Sequence, residues 1–125
     1  MLTRREGLVL YWCEGDKNNN YMVAVTTTDA PILRFFIDWV CQFYNVQRER
    51  IKLRLHLWDA MKEEKAKEFW SNAVDIPIKN FTKTYIKLKG SRKKNHEFGV
   101  CRAVVNSKHI FNQIMHDIKT TFILT

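Results

Sequence analysis

The sequence contains few of the glycine and proline residues that are common in linkers between domains. Its 125 residues include only 4 glycines and 2 prolines, and no stretch reads as a flexible linker or an internal repeat. The three cysteines, Cys13, Cys41 and Cys101, form no Cys-x-x-Cys pair. This pattern argues against a zinc site or a disulfide framework and fits thiols in a reducing compartment. We therefore expect one domain, residues 1–125, in the cytoplasm, with a prokaryotic cytoplasm or nucleoid favoured.

Long hydrophobic runs are also missing. No apolar run approaches the roughly 20 residues that span a bilayer. The segment Met1–Gly7 contains Arg4, Arg5 and Glu6 and is followed by no cleavage pattern, so it does not read as a signal peptide. We expect no membrane association, and the 46% hydrophobic content is enough for one ordinary core.

Positive charge is in surplus. The 21 Lys and Arg residues outnumber the 13 Asp and Glu residues, which gives a formal net charge of +8. Such a surplus is typical of proteins with an anionic partner, most often nucleic acid, but it is also found on surfaces whose charge only maintains solubility. The positions of the charges must decide between these interpretations.

Hydrophobic periodicity predicts alternating helices and strands. The expected fold is α+β (mixed α/β), in the order α-β-α-β-α-β-β-α, with a four-stranded sheet covered by helices on one face. The last two strands read as a hairpin with a long loop. In chain order the predicted elements are a helix over 3–14, a strand over 21–28, a helix capped by Asp29 and running to Tyr44, a strand over 51–57, a helix capped by Asp59 and running to Ala73, strands over 84–89 and 100–105, and a helix capped by Ser107.

The strand over 51–57 alternates strictly between aliphatic and basic residues, so its two faces differ in charge. If the helices cover the aliphatic face, the other face carries cations from several strands. We expect this face to bind double-stranded DNA, with the predicted hairpin entering the major groove. A solvent-facing sheet with ordinary surface charges is the alternative. The predicted contacts are Lys52, Arg54, His56, Tyr85, Lys87, Lys89 and Arg102, extended by the loop residues Arg92, Lys93, Lys94 and His96.

The segment Gly7-Leu-Val-Leu-Tyr-Trp-Cys-Glu14-Gly15-Asp-Lys17 carries a resemblance to a known family. It resembles the motif of the LAGLIDADG homing endonuclease superfamily, a helix that ends in an acidic residue followed by glycine. The strand ending in Asp29, the helix over 31–44 and the basic strand after it are similar to the intein- and intron-type endonuclease domains of this superfamily. The region that contains Phe69-Trp70-Ser71 and Ile76-Pro77 is similar to its single-motif members. The similarity covers nearly the whole chain.

This resemblance implies a homodimeric DNA endonuclease that depends on Mg²⁺ or Mn²⁺. It places Glu14 at the catalytic, metal-binding acid, and Val9 and Cys13 at the dimer interface. A carboxylate at a helix C-terminus is poorly placed in the helix dipole, and a divalent cation would relieve this. Asp16 is either a second metal ligand or a cap for backbone amides in its turn. Glu14 itself has the alternative of being an exposed acid without a metal.

Two other functions remain open at this point. A transcription regulator with a LAGLIDADG-like domain would bind DNA but would have lost cleavage. An RNA-binding maturase would use the same basic surface. Glu14 does not separate these possibilities, because cleavage requires this acid but its presence does not prove cleavage.

Overall fold

The computed structural model of this protein describes residues 3–58, 62–86 and 98–123. Within these ranges the chain forms four α-helices and a four-stranded sheet, in the predicted order α-β-α-β-α-β-β-α. The mixed α+β class is therefore confirmed. The elements are α1 (Arg4–Glu14), β1 (Val23–Thr27), α2 (Ala30–Phe43), β2 (Lys52–Leu57), α3 (Glu63–Val74), β3 (Tyr85–Ile86), β4 (Val100–Val105) and α4 (Lys108–Ile118).

Three of the four described α-helices begin at a short polar residue whose side chain caps the helix. The Thr3 hydroxyl accepts a hydrogen bond from the Glu6 amide, and the Glu6 carboxylate accepts one from the Thr3 amide, which completes a capping box. Asp29 and Ser107 cap α2 and α4, as predicted. Asp59, the predicted cap of the third helix, lies outside the described residues, and the prediction is wrong because α3 begins after Lys62, whose side chain forms no capping hydrogen bond.

The order of strands in the sheet is β1-β4-β2-β3. β4 lies between β1 and β2 and is antiparallel to both, whereas β3 pairs with β2 in parallel. The predicted hairpin of the last two strands is therefore wrong, because β2 separates them. The physical reason is the crossover through α3: a helix between two strands brings the second strand back parallel to the first.

A buried asparagine fixes the start of this parallel pairing. The Asn80 side-chain amide donates hydrogen bonds to the carbonyls of Glu49 (3.1 Å) and Ile51 (3.0 Å) at the entry to β2. The Thr82 amide then donates to the Leu53 carbonyl at 2.8 Å. Since a buried amide needs partners, Asn80 holds the chain against the free edge of β2 before β3 begins.

The sheet has one covered and one open face. The covered face carries Val23, Val25, Leu53, Leu55 and Ala103, all fully buried beneath the helices. Lys52 and Arg54 on the opposite face are exposed. The two faces of β2 therefore differ in exposure, and its charged face is open. Among the described helices, none has the length and apolar character needed to cross a membrane.

Candidate nucleic-acid interface

The open face is organised in rows that follow the strand register. Residues directly opposite each other on neighbouring strands lie in one row, and successive rows are two residues apart along each strand. None of the outward-facing strand residues in these rows is acidic. The lysine row contains Ala24, Val104 and Lys52; the arginine row contains Thr26, Arg102 and Arg54; and the aromatic row contains Val100, His56 and Tyr85.

The arginine row places two guanidinium groups on directly opposite positions of β4 and β2. Like charges in such a pair destabilise a sheet. Arg102 is compensated, because it donates hydrogen bonds to the Asp16 carboxylate at 2.8 Å and to the Thr26 hydroxyl at 3.1 Å. Arg54 is exposed and forms no ion pair with the described residues. The row therefore has one neutralised cation and one that remains available to an anion.

A shallow groove of about 280 Å³ runs beside this row. Lys52, Arg54 and Arg102 line it together with the side chains of Thr82 and Asn106. Cations and neutral hydrogen-bond donors in one concave surface form a suitable site for phosphate oxygens. The predicted contacts Lys52, Arg54 and Arg102 are thus brought together in space.

The aromatic row has a different chemistry. The rings of His56 and Tyr85 lie with centroids 5.5 Å apart, and Trp58 lines the same pocket. Burial lowers the pKa of His56, and the positive charges of Arg54 and Arg102 lower it further. His56 Nε2 is buried and has no hydrogen-bond partner among the described residues. At neutral pH His56 therefore offers an uncharged ring.

The end of α1 lies along the free edge of β1. The Asp16 amide donates to the Ala24 carbonyl at 2.9 Å, and the Tyr11 hydroxyl donates to the Asp16 carbonyl at 2.6 Å. Burial raises the pKa of Tyr11 to about 12, so this hydroxyl keeps its proton. A Cβ at Gly15 would collide with the Tyr11 ring. This contact explains, through close packing, why a glycine stands at position 15.

A lysine occupies the C-terminal end of α1. Lys17 Nζ donates hydrogen bonds to the carbonyls of Trp12 (2.8 Å) and Gly15 (3.1 Å). An ammonium group here satisfies the orphan carbonyls and compensates the helix dipole. The ammonium group of Lys17 supplies positive charge at the helix end where the resemblance implies a divalent cation.

Glu14 and Asp16, the two predicted metal ligands, are in different situations. Glu14 is exposed, and its carboxylate forms no hydrogen bond or ion pair with the described residues. Both carboxylate oxygens of Asp16 are engaged, Oδ2 by Arg102 at 2.8 Å and Oδ1 by the Asn18 amide at 3.0 Å. The hydrogen bond from Arg102 lowers the pKa of Asp16. Asp16 thus acts as the turn-capping and ion-pairing acid.

The donor set at this end of α1 does not fit a Mg²⁺ site within one chain. Mg²⁺ takes carboxylates that are free to bind it, and here one is free while the other is neutralised by an arginine. No group of three His, Cys, Asp or Glu side chains suited to a metal occurs in residues 3–58, 62–86 and 98–123. A metal shared by two copies of Glu14 would require the predicted homodimer.

Val9 and Cys13, the predicted dimer contacts, both lie exposed on the outer side of α1. They are one helical turn apart and therefore share a face. The neighbouring Trp12 is turned toward the C-terminal segment, where its ring stacks on Phe122 with centroids 5.3 Å apart. This face is accessible in the single chain, and the homodimer remains a prediction.

Six of the predicted DNA contacts lie outside the described residues: Lys87, Lys89, Arg92, Lys93, Lys94 and His96. In contrast, sequence reasoning missed Trp58, Thr82 and Asn106, which line the two concavities of the open face. Trp58 had a detectable signal, because it continues the outward phase of Lys52, Arg54 and His56.

Comparison of this chain with protein-family models, with curated proteins and with solved structures found no match.

Proposed function

We propose that this protein binds double-stranded DNA through the open face of its sheet. The arginine row carries the proposal: Arg54 faces Arg102 on the neighbouring strand, and no described acid neutralises Arg54. Asp16 neutralises Arg102, whereas Arg54 has no such partner among the described residues, and a bound phosphate would supply one. Lys52, one row away, extends the same positive surface.

The covered and open faces of β2 support this assignment. Folding needs the aliphatic face, because Leu53, Leu55 and Leu57 belong to the core. It does not need cations on the opposite side. DNA offers a dense row of phosphates, and contacts to phosphates dominate the affinity of such complexes. Binding would be positioned mainly by backbone contacts, with base contacts secondary.

The test replaces the two free cations by neutral residues of similar length. Lys52→Gln/Arg54→Gln should weaken binding to a fluorescent duplex in an anisotropy titration. Because each lost phosphate contact lowers the slope of log affinity against log salt by about 0.9, the slope should decrease by about 1.8. Lys62→Gln/Lys65→Gln, at two exposed positions where α3 begins, has the same change in net charge and is the matched control. Equal loss in both double variants would contradict a localised interface.

The resemblance adds metal-dependent cleavage by a homodimer as a second proposal. The exposed carboxylate of Glu14 supports it, whereas the engaged Asp16 and the ammonium of Lys17 do not. Incubation of wild type and Glu14→Gln with a randomised duplex library and Mg²⁺ or Mn²⁺ tests this proposal. Cuts by wild type alone would support the nuclease. Binding without cuts would favour a regulator, which needs only the open face.

A further inference from the structure

The aromatic row adjoins the arginine row on the same face of the sheet. His56 follows Arg54 by two residues on β2, so the two Cα atoms are about 6.6 Å apart. Arg54 is opposite Arg102, and His56 is opposite Val100 on one side and Tyr85 on the other. A ligand whose anionic group binds at the arginine row would therefore place its adjoining part over the aromatic row.

A concavity of about 260 Å³ lies on the aromatic row and is lined by Thr26, His56, Trp58, Tyr85 and Val100. We call this concavity the aromatic pocket. Its volume is just below the range of about 300–1,000 Å³ typical of pockets for drug-sized ligands. It is suited to a single flat ring system.

The rings of the aromatic pocket are not used by the core. Tyr85 is 52% exposed, and none of His56, Trp58 and Tyr85 belongs to the hydrophobic cluster that the helices cover. The strand residues that do fold the protein point to the other face. Three clustered rings that contribute little to folding are available to a ligand.

We propose that the aromatic pocket holds one unpaired base of a bound nucleic acid while the adjoining phosphate lies on Arg54. Aromatic rings stack on the face of any base, and this contact tolerates different sequences. A base inside an intact duplex has both faces covered by its neighbours, so only an extruded or single-stranded base can enter. This inference rests on the proposed binding by the open face and defines which nucleic-acid structure binds best.

Charge and ring chemistry together select this ligand. The pocket has an uncharged imidazole, a phenol and an indole on one side and the arginine row on the other. An apolar peptide or lipid chain would match the rings but would leave Arg54 without an anion. A nucleotide supplies a flat ring and a phosphate a short distance apart.

The experiment compares four oligonucleotides of one sequence: a paired duplex, the same duplex with a single-base bulge, single-stranded DNA and single-stranded RNA. Wild type should bind the bulged duplex about tenfold more tightly than the paired one, the effect of one stacked base. Tyr85→Ala should make the two affinities equal, whereas Tyr85→Phe, which keeps the ring, should retain the difference. Thermal unfolding followed by circular dichroism checks that both variants fold.

A second readout reports stacking directly. A 2-aminopurine placed at the bulge should lose fluorescence when it stacks in the wild-type pocket, and Tyr85→Ala should remove this quenching. Quenching with single-stranded RNA, with single-stranded DNA or with both supports the pocket and identifies which strand it accepts. Equal binding of paired and bulged duplexes by wild type, without quenching, would overturn the inference and leave DNA binding intact. Failure to bind any of the four would overturn the proposed function itself.

Discussion

The two faces of β2 carry opposite chemistry on one six-residue strand. Leu53, Leu55 and Leu57 are buried against the helices, while Lys52 and Arg54 on the alternate positions are exposed. Burial of aliphatic side chains supplies the main stabilisation of such a sheet. The open face supplies little, because Lys52 and Arg54 remain exposed and bury little apolar surface. Stability and binding should therefore be separable by choosing the face that is changed.

The largest expected effect is on the covered face. Leu55→Ala should lower the free energy of unfolding by about 2–5 kcal/mol, because it leaves a cavity in the core. Under conditions where the variant remains folded, its DNA affinity should stay close to that of wild type. Urea unfolding and anisotropy titration measure the two quantities.

Lys52→Ala on the other face is the matched comparison for Leu55→Ala. It should change the free energy of unfolding by no more than about 0.5 kcal/mol, since the side chain is exposed. It should nevertheless weaken DNA binding. If Lys52→Ala were as destabilising as Leu55→Ala, the distinction between a folding face and a binding face would fail.

An intermediate effect is expected at Asp16, which neutralises one cation of the binding face. Asp16→Asn should reduce stability by about 1 kcal/mol or less, as for other partly exposed ion pairs. It should also strengthen DNA binding and steepen the salt dependence by about 0.9, because Arg102 becomes available for a phosphate. Titrations at several salt concentrations measure this slope.

Asp38→Asn is the control for the change in net charge. Asp38 lies on α2, away from the open face. It pairs with Arg48 at 2.9 Å and with Arg34 at 3.1 Å. It should leave DNA affinity unchanged. Weaker DNA binding by Asp16→Asn in the presence of Mg²⁺ would contradict the ion-pairing role and favour Asp16 as a metal ligand.

Local patterns in the sequence predicted much of the fold. Strict alternation in β2 identified both faces of the strand, and short polar residues identified the starts of α2 and α4. These signals are local, since each depends on side chains within a few residues. The neighbour of β3 was not predictable in this way. It depends on Asn80, whose partners at Glu49 and Ile51 are about thirty residues earlier in the chain.

In the candidate site too, local patterns predicted one part, and contacts between residues far apart in the sequence determine the rest. The strand phase correctly grouped Lys52, Arg54 and Arg102 on one surface. It could not show that Asp16 neutralises Arg102, because 86 residues separate the two. Nor could it show that His56 is uncharged, since the pKa of a histidine depends on burial and on neighbouring charges. Charge in a sequence gives the sign of a surface, and the fold determines which charges remain available.

The smallest effect is expected from substitution of His56, whose ring lies in the aromatic row of the open face. Its pKa in the folded protein is lowered, so the unfolded chain takes up a proton more readily than the native one. The contribution of His56 to stability is therefore fully present above its unfolded pKa of about 6.5 and is lost as the pH falls through the folded value. His56→Gln should reduce the loss of stability between about pH 7.5 and pH 5.5. His109→Gln, an exposed histidine on α4, should retain the wild-type dependence. Urea unfolding at both pH values measures this, and an unchanged dependence in His56→Gln would mean that its imidazole is as accessible to protons as a surface histidine.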